Sequence, residues 1–220
     1  PSEIEYVACA LPDWEGAFNT SLRFKNWSFS MQWDGKVGGK TYSQSHHKMC
    51  EQGHLAETLN GRKPGTSLYL DITDPDVLKL FEKQKITPVA GVYCIAPGVV
   101  DNGDGTYSQN QKLVTLESYY KEYYRIGNVE TNTFSTTYLK LREVRLDYQL
   151  PKSWLKNTFI TNASVGVYGR NLLCITSYPM FDPETTSLDG NTFVPGVEVG
   201  TLPTSRSCGA VARFSAFGEE

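Results

Sequence analysis

Trp27-Ser28-Phe29-Ser30-Met31-Gln32-Trp33-Asp34 alternates apolar and polar side chains without an error. Successive side chains of a β-strand point to opposite faces, so this stretch reads as a strand with one greasy face and one wet face. Just upstream, Phe18, Leu22 and Phe24 alternate with Asn19, Ser21, Arg23 and Lys25, and Lys25-Asn26 supplies a tight turn. The two runs form a hairpin with charges on its polar side. The same period returns late in the chain. Val144, Leu146, Tyr148 and Leu150 alternate with Glu143, Arg145, Asp147 and Gln149 until Pro151 ends the strand. Ala163, Val165 and Val167 then face away from Asn162, Ser164, Tyr168 and Arg170, in a strand running on towards Thr176. Ser207 to Phe217 reads as a last strand of poorer alternation, because Arg213 and Phe214 fit different choices of face.

Between these strands, residues 38–132 show little periodicity and read mostly as connection. Within them, Asp74-Pro75-Asp76 ahead of Val77, Leu80 and Phe81 predicts an N-capped, short amphipathic helix. Asp101-Asn102-Gly103-Asp104-Gly105 predicts a turn between two short extended pieces. The 220 residues carry 21 Lys plus Arg against 24 Asp plus Glu, a net charge of −3 that excludes a basic nucleic-acid scaffold. With 40% hydrophobic residues the chain is too apolar for a disordered tail. No run approaches the roughly 18 to 20 apolar residues of a spanning helix. A helical membrane protein is thereby excluded; a membrane β-barrel, whose strands are short and half polar, is not. Cys9, Cys50, Cys94, Cys174 and Cys208 are scattered and form neither a disulfide framework nor a zinc ribbon. The first nine residues have no leader pattern, so any export signal is expected outside this sequence.

The apolar faces carry Phe24, Trp27, Phe29, Trp33 and Tyr148, whereas the inward faces of soluble sandwiches favour compact aliphatics. Aromatics near strand ends suit the interfacial girdle of a lipid-facing wall. The residues alone leave two architectures open: a membrane barrel, and a soluble extracellular β-sandwich that binds carbohydrate and folds without detergent.

The motifs that suggest chemistry have simpler readings. Gly38-Gly39-Lys40-Thr41 ends like a phosphate-binding loop, but Asp34 stands where the first glycine is required, and the preceding strand is amphipathic. His46, His47, Cys50 and His54 crowd one short segment and read as adventitious metal ligands, with no designed metal site expected. The Asp101 to Gly105 turn lacks the first acid of a calcium loop. Asn19-Thr20-Ser21, Asn26-Trp27-Ser28 and Asn162-Ala163-Ser164 match glycosylation sequons by chance. Asp182 and Glu184 form a carboxylate pair of the kind glycosidases use, yet with no Gly-x-Ser-x-Gly elbow and acids this numerous, no catalytic residue and no cofactor are expected.

The order of segments resembles the C-terminal end of the SusC/RagA family of TonB-dependent outer-membrane transporters of Bacteroidetes. Pro12-Asp13-Trp14-Glu15-Gly16 resembles the family's hairpin opening, and Asp34-Gly35-Lys36-Val37-Gly38-Gly39 its glycine-rich strand exit. Glu57 to Arg62, then Gly91-Val92 and Asp104-Gly105, are similar to its outer-loop strings. Tyr138-Leu139-Lys140-Leu141-Arg142-Glu143-Val144-Arg145-Leu146-Asp147-Tyr148-Gln149-Leu150-Pro151 is similar to its Phe-x-Lys-Leu-Arg-Glu-Val strand. Gly169-Arg170-Asn171-Leu172, Tyr178-Pro179, Phe181-Asp182-Pro183-Glu184 and Leu202-Pro203-Thr204-Ser205-Arg206 follow in the family's order. The match departs at the end, where Arg213 and Ser215 occupy apolar positions relative to Phe217, and Gly218-Glu219-Glu220 follow.

The resemblance implies an all-β fold: antiparallel strands of a large transmembrane barrel at about residues 17–37, 136–150, 160–176 and 206–217, with a long extracellular loop region at about 38–132. A plugged barrel of this class uses about 22 strands, so the plug, the TonB-contacting segment and most of the wall are expected elsewhere. It implies residence in the outer membrane and import of oligosaccharides or peptides, powered through the TonB complex. The expected partners are a SusD-like surface lipoprotein, outer-membrane lipid and the glycan or peptide, with no nucleic acid. Phe24, Trp27, Phe29, Met31, Trp33, Val144, Leu146, Tyr148, Val165 and Val167 are then expected to face lipid. Arg23, Lys25, Gln32, Asp34, Glu143, Arg145, Asp147, Tyr168 and Arg170 are expected to face the lumen. Tyr42, Tyr119, Tyr120 and Tyr178 are the expected substrate contacts, because aromatic rings stack on sugar faces.

Overall fold

Five long strands carry the alternation in the computed structural model, which describes residues 6–184, 187–189 and 192–216. They are β1 (Pro12–Phe24), β2 (Trp27–Gly38), β3 (Tyr138–Gln149), β4 (Ile160–Thr176) and β5 (Ser207–Ala216). Each pairs antiparallel with its neighbour in chain order, forming one meandering sheet. The connections at one end are short: Lys25-Asn26, and residues 150–159 with one helical turn at Lys152–Leu155. At the other end residues 39–137 and 177–206 separate the strands. Short turns at one end and long loops at the other are the layout of an outer-membrane barrel wall.

The register places whole rows of like side chains across the sheet. Phe24, Trp27, Tyr148, Val165 and Ala212 form one row, and Leu22, Phe29, Leu146, Val167 and Ala210 the next. These rows are exposed: Phe24 is 69% accessible, Trp27 48% and Val167 55%. A sandwich would bury this face against a second sheet, so the soluble reading fails here. Aromatics mark both ends of the face, with Trp27 against Tyr148 (4.7 Å between rings) at the short turns and Phe18 opposite Trp33 nearer the long loops. Trp27 and Trp33 stand about 20 Å apart along the strand, close to the ~25 Å apolar band of such walls.

On the opposite face Ser21, Ser30, Arg145, Tyr168 and Gly209 align, as do Asn19, Gln32, Glu143, Arg170 and Ser207. Gly209 leaves the space into which the Tyr168 ring leans; a Cβ there would meet that ring at 2.8 Å. β5 is more regular than its sequence suggests, with Phe214 beside Ala163 on the apolar face and Arg213 beside Ser164 on the polar one. The terminal Phe217 lies outside the described residues.

Two register shifts keep the faces pure. Read strictly, Leu139-Lys140-Leu141-Arg142 and Glu143-Val144-Arg145-Leu146 alternate in opposite phases. The sheet absorbs the slip at Arg142, where Gln32 pairs with Glu143 but Trp33 pairs with Leu141. A bulge of this kind lets two successive residues serve one face. β4 answers with its own irregularity between Arg170 and Leu173. There Asn171 adopts φ of 51°, a left-handed conformation that asparagine tolerates far better than branched residues, and its side-chain amide donates to Ser205 O (3.1 Å).

Tyr42–Thr133 forms a second compact unit, described here by itself. It has more structure than alternation reveals: helices α1 (Gln44–Glu51), α2 (Pro75–Lys83) and α3 (Leu116–Tyr123), with short paired strands at Tyr93–Ile95 with Leu113–Thr115 and at Val99–Asp101 with Tyr107–Gln109. The Asp74 cap and Pro75 first turn of α2 follow the sequence reading. Cys50, Leu68, Cys94, Leu116, Tyr120 and Tyr124 make its core. Those residues lie far apart in sequence, so no local period announces them.

Asn171→Val places a branched residue in the left-handed region and is expected to cost about 1–2 kcal/mol. Asn171→Gly, which loses only the amide bond, should cost less. Denaturant unfolding of the intact protein orders the two; a valine variant as stable as the glycine one contradicts the bulge account.

Candidate functional site

The polar face of the sheet ends, towards the long connections, in an ionic cluster. Arg142 reaches Asp34 across the strand pair in a two-pronged contact, Nε to Oδ1 at 2.6 Å and Nη2 to Oδ2 at 2.8 Å. It also donates to Glu184 in the loop after β4. Lys140 donates to Asp182 Oδ1 (2.6 Å) and to Glu184. The Tyr138 hydroxyl donates to Glu184 Oε1 (2.7 Å) and lies 3.2 Å from Asp34 Oδ2. Thr204 donates to Asp182 from the far end of the same connection. Lys140 and Asp182 are almost fully buried, 3% and 2% accessible. Buried charges persist only when paired and hydrogen-bonded, and here each has a partner of opposite sign.

This arrangement decides the role of the Asp182 and Glu184 pair. A glycosidase acid must hold its proton near neutral pH, which requires a raised pKa. Burial raises that of Glu184, but donors from Arg142, Lys140 and Tyr138 outweigh it and hold the carboxyl down at about 2. The pair fastens the loop to the wall. The bulge at Arg142 makes this possible by sending Lys140, Arg142 and Glu143 to one side. Lys140 and Arg142 were absent from the expected lumen set because strict alternation from Val144 assigns them the wrong face.

Of that set, Arg23, Gln32, Asp34, Glu143, Arg145, Asp147, Tyr168 and Arg170 share the polar face. Lys25 does not. It occupies the two-residue turn with φ of 53°, its ammonium 5.3 Å from the Phe24 ring centre, because the hairpin closes one residue before it. Four of the remaining charges pair locally: Arg145 clasps Asp147 (2.5 and 2.8 Å), and Arg170 meets Glu143 (2.8 Å).

Within Tyr42–Thr133, a groove of about 550 Å³ is lined by Tyr119, Tyr120 and Tyr123 from α3 and by Tyr124, which caps it, facing Ala56, Asn60 and Leu68. Tyr119 and Tyr123 stack at 5.5 Å and 19°, and Tyr123 is exposed. Tyr120 is buried, its hydroxyl given to Asn60 O (2.7 Å) and Glu57 O (3.2 Å), so it serves packing and offers no ring face. Tyr42 shares a hydrogen bond with His47 Nδ1 (2.9 Å). Tyr178, in the other unit, is buried edge-on against Phe134 (6.1 Å). Sequence reasoning missed Tyr123, although its spacing of four from Tyr119 puts the two on one helix face. Burial pushes the Cys50 thiol up to about 12 and Cys94 to about 11.

No known family profile matches the chain. The curated TonB-dependent receptor P3 of Formosa agariphila is 23% identical over 206 residues, which cover 89% of this chain and 16% of that receptor. Among solved structures, the RagAB peptide importer in its closed-closed state aligns with a TM-score of 0.52 at 16% identity, over 92% of this chain and 17% of that one. The chain has the wall-and-loop fold of a TonB-dependent transporter. It therefore spans about a sixth of the length of the relatives it matches. Relatives of this kind reside in the outer membrane. The glycine-rich run that closes β2 is a strand exit of this fold.

Glu184 makes the loop attachment pH-sensitive. Its folded pKa lies below the ordinary 4.5, so its contribution is complete above that value and is lost as pH falls towards about 2. The transporter is expected to lose thermal stability across this window, and Glu184→Gln to flatten that part of the profile. Melting of the detergent-solubilised protein between pH 5 and pH 2 reads it; parallel profiles contradict the cluster account.

Proposed function

We propose that the polypeptide carrying these residues imports oligosaccharides or peptides across the outer membrane, powered through TonB and capped outside by a SusD-like lipoprotein. The observation that carries this reading is the amphipathic five-stranded wall with its paired polar face, in a chain alignable over 92% of its length with a peptide importer. That resemblance favours the peptide arm. Paired charges can line a hydrated, plugged interior, whereas Arg or Lys on the lipid face near mid-membrane costs roughly 2 to 4 kcal/mol. The wall strands seal the barrel, and the ionic cluster holds the loop of residues 177–184 at its rim. In this reading the polar face, including Arg23, Gln32, Asp34, Glu143, Arg145, Asp147, Tyr168 and Arg170, lines the lumen.

Substrate contact is assigned to the Tyr119 and Tyr123 stack, which presents aromatic surface along an open groove. Flat sugar rings and peptide side chains both gain from such surfaces. Tyr120 supports the groove from beneath.

Tyr119→Ala with Tyr123→Ala in the intact transporter should lower uptake of labelled oligopeptides or oligosaccharides several-fold at unchanged surface abundance. Deleting the TonB-contacting segment should abolish uptake, and a SusD-like lipoprotein should co-purify. Unchanged uptake in the double variant removes the stack from the substrate path. Uptake that persists without TonB contact overturns the transport reading.

A further inference from the structure

The buried polar cluster of Tyr42–Thr133 has no part in the transport reading. His46 and Cys50 project from α1 one turn apart, and Glu57 arrives from the helical turn at Ala56–Leu59. His46 is 1% accessible, Cys50 0%, and the Glu57 carboxylate is partly open to solvent. His46 Nε2 stands 3.4 Å from Glu57 Oε2 and 3.7 Å from Cys50 Sγ, and that sulfur stands 4.0 Å from the same carboxylate oxygen.

These separations can be compared with what a metal requires. Zinc binds imidazole nitrogen and carboxylate oxygen at about 2.0–2.1 Å and thiolate sulfur at about 2.3 Å; tetrahedral angles then place N and O about 3.4 Å apart, and each about 3.6 Å from S. The three observed edges lie within a few tenths of an ångström of that triangle. The sulfur is 3.9 Å from His46 Nδ1 as well, to one side of the ring, so binding calls for a modest rotation of the thiol or the imidazole.

The surroundings orient the set as a metal site needs. The buried Asn132 donates from Nδ2 to Tyr124 O (3.1 Å) and Thr131 Oγ1 (3.2 Å), which turns its Oδ1 to His46 Nδ1 at 3.0 Å. Nδ1 is then the protonated nitrogen, and Nε2, the basic one, faces Cys50 and Glu57. The Tyr124 hydroxyl donates to Glu57 Oε2 (3.0 Å) and holds the carboxylate in place. Partners of this kind fix ligand tautomer and orientation. His47 takes no part: it faces Tyr42 and Glu51.

We propose that His46, Cys50 and Glu57 bind one zinc ion, with Asn132 and Tyr124 as orienting partners and a fourth position open beside Glu57. One thiolate, one imidazole and one carboxylate suit a borderline cation such as zinc over magnesium or calcium. Binding displaces the thiol proton and fastens α1 to the turn at Ala56–Leu59.

Cobalt(II), which takes zinc sites and reports thiolate ligation by a near-ultraviolet charge-transfer band, is the probe. Titrated into the intact transporter polypeptide in detergent, it should give the band at about one equivalent. Zinc should compete it away. The band should vanish in Cys50→Ser and persist in Cys94→Ser, whose thiol is buried in the same core but lies outside the set. Glu57→Gln, a change at a partly exposed side chain, should weaken binding at least tenfold. Absence of the band at stoichiometric cobalt, or its persistence in Cys50→Ser as adventitious binding, overturns the proposal. Should Cys50→Ser misfold, Glu57→Gln decides: unchanged affinity overturns it.

Discussion

Hydrocarbon cannot hydrogen-bond a peptide group, and every other feature of the wall follows from that limit. A strand crossing a bilayer must give its amides and carbonyls to neighbours, and the sheet is a continuous ladder from β1 to β5. Continuity dictates register, because each residue's face is set by its pairing and a slip of one residue would turn a whole strand inside out. The aligned rows through Trp27 and Phe29 are the visible result. The same limit explains the exposed aromatics: lipid takes the place of a core on that side.

A ladder that must not break can still shift, and the shifts are where function is built. At Arg142 one extra residue turns a row of alternating charges into a concentration of them, and the cluster of Asp34, Lys140, Arg142, Asp182 and Glu184 depends on it. The cost of burying Lys140 and Asp182 is offset by mutual pairing and by Thr204 and Glu184 around them. Asn171 supplies the matching irregularity on β4 through its left-handed backbone. Wall regularity and loop anchorage are therefore two consequences of one strand's sequence phase.

What could be read from the sequence divides along the same line. Trp27 to Asp34 and Val144 to Tyr148 declared their faces because alternation is a local signal, and eight residues of the polar face were placed by it. Lys140 and Arg142 were missed because their phase is opposite to that of Val144, and only pairing with β2 reveals the bulge. Lys25 was carried one residue too far along the hairpin. Of the second unit, α2 and the turn at Asp101 to Gly105 were legible because their signals are local, whereas its core joins Cys50, Cys94 and Tyr120, and its groove and its His46, Cys50 and Glu57 cluster draw on separate segments. The burial of Tyr120 and Tyr178 was likewise invisible, since in the sequence they look like any surface tyrosine.

The central claim is that adjacent residues of β4 face different solvents, one lipid and one water. Spin labels at Val167 and Tyr168 of the intact transporter in lipid bilayers test it directly, through collision with oxygen, which concentrates in hydrocarbon, and with a water-soluble nickel chelate. The account predicts that the label at Val167 responds chiefly to oxygen and the label at Tyr168 chiefly to nickel. Equal nickel access at both positions would mean that the apolar face meets water, and that the sheet is not a membrane wall.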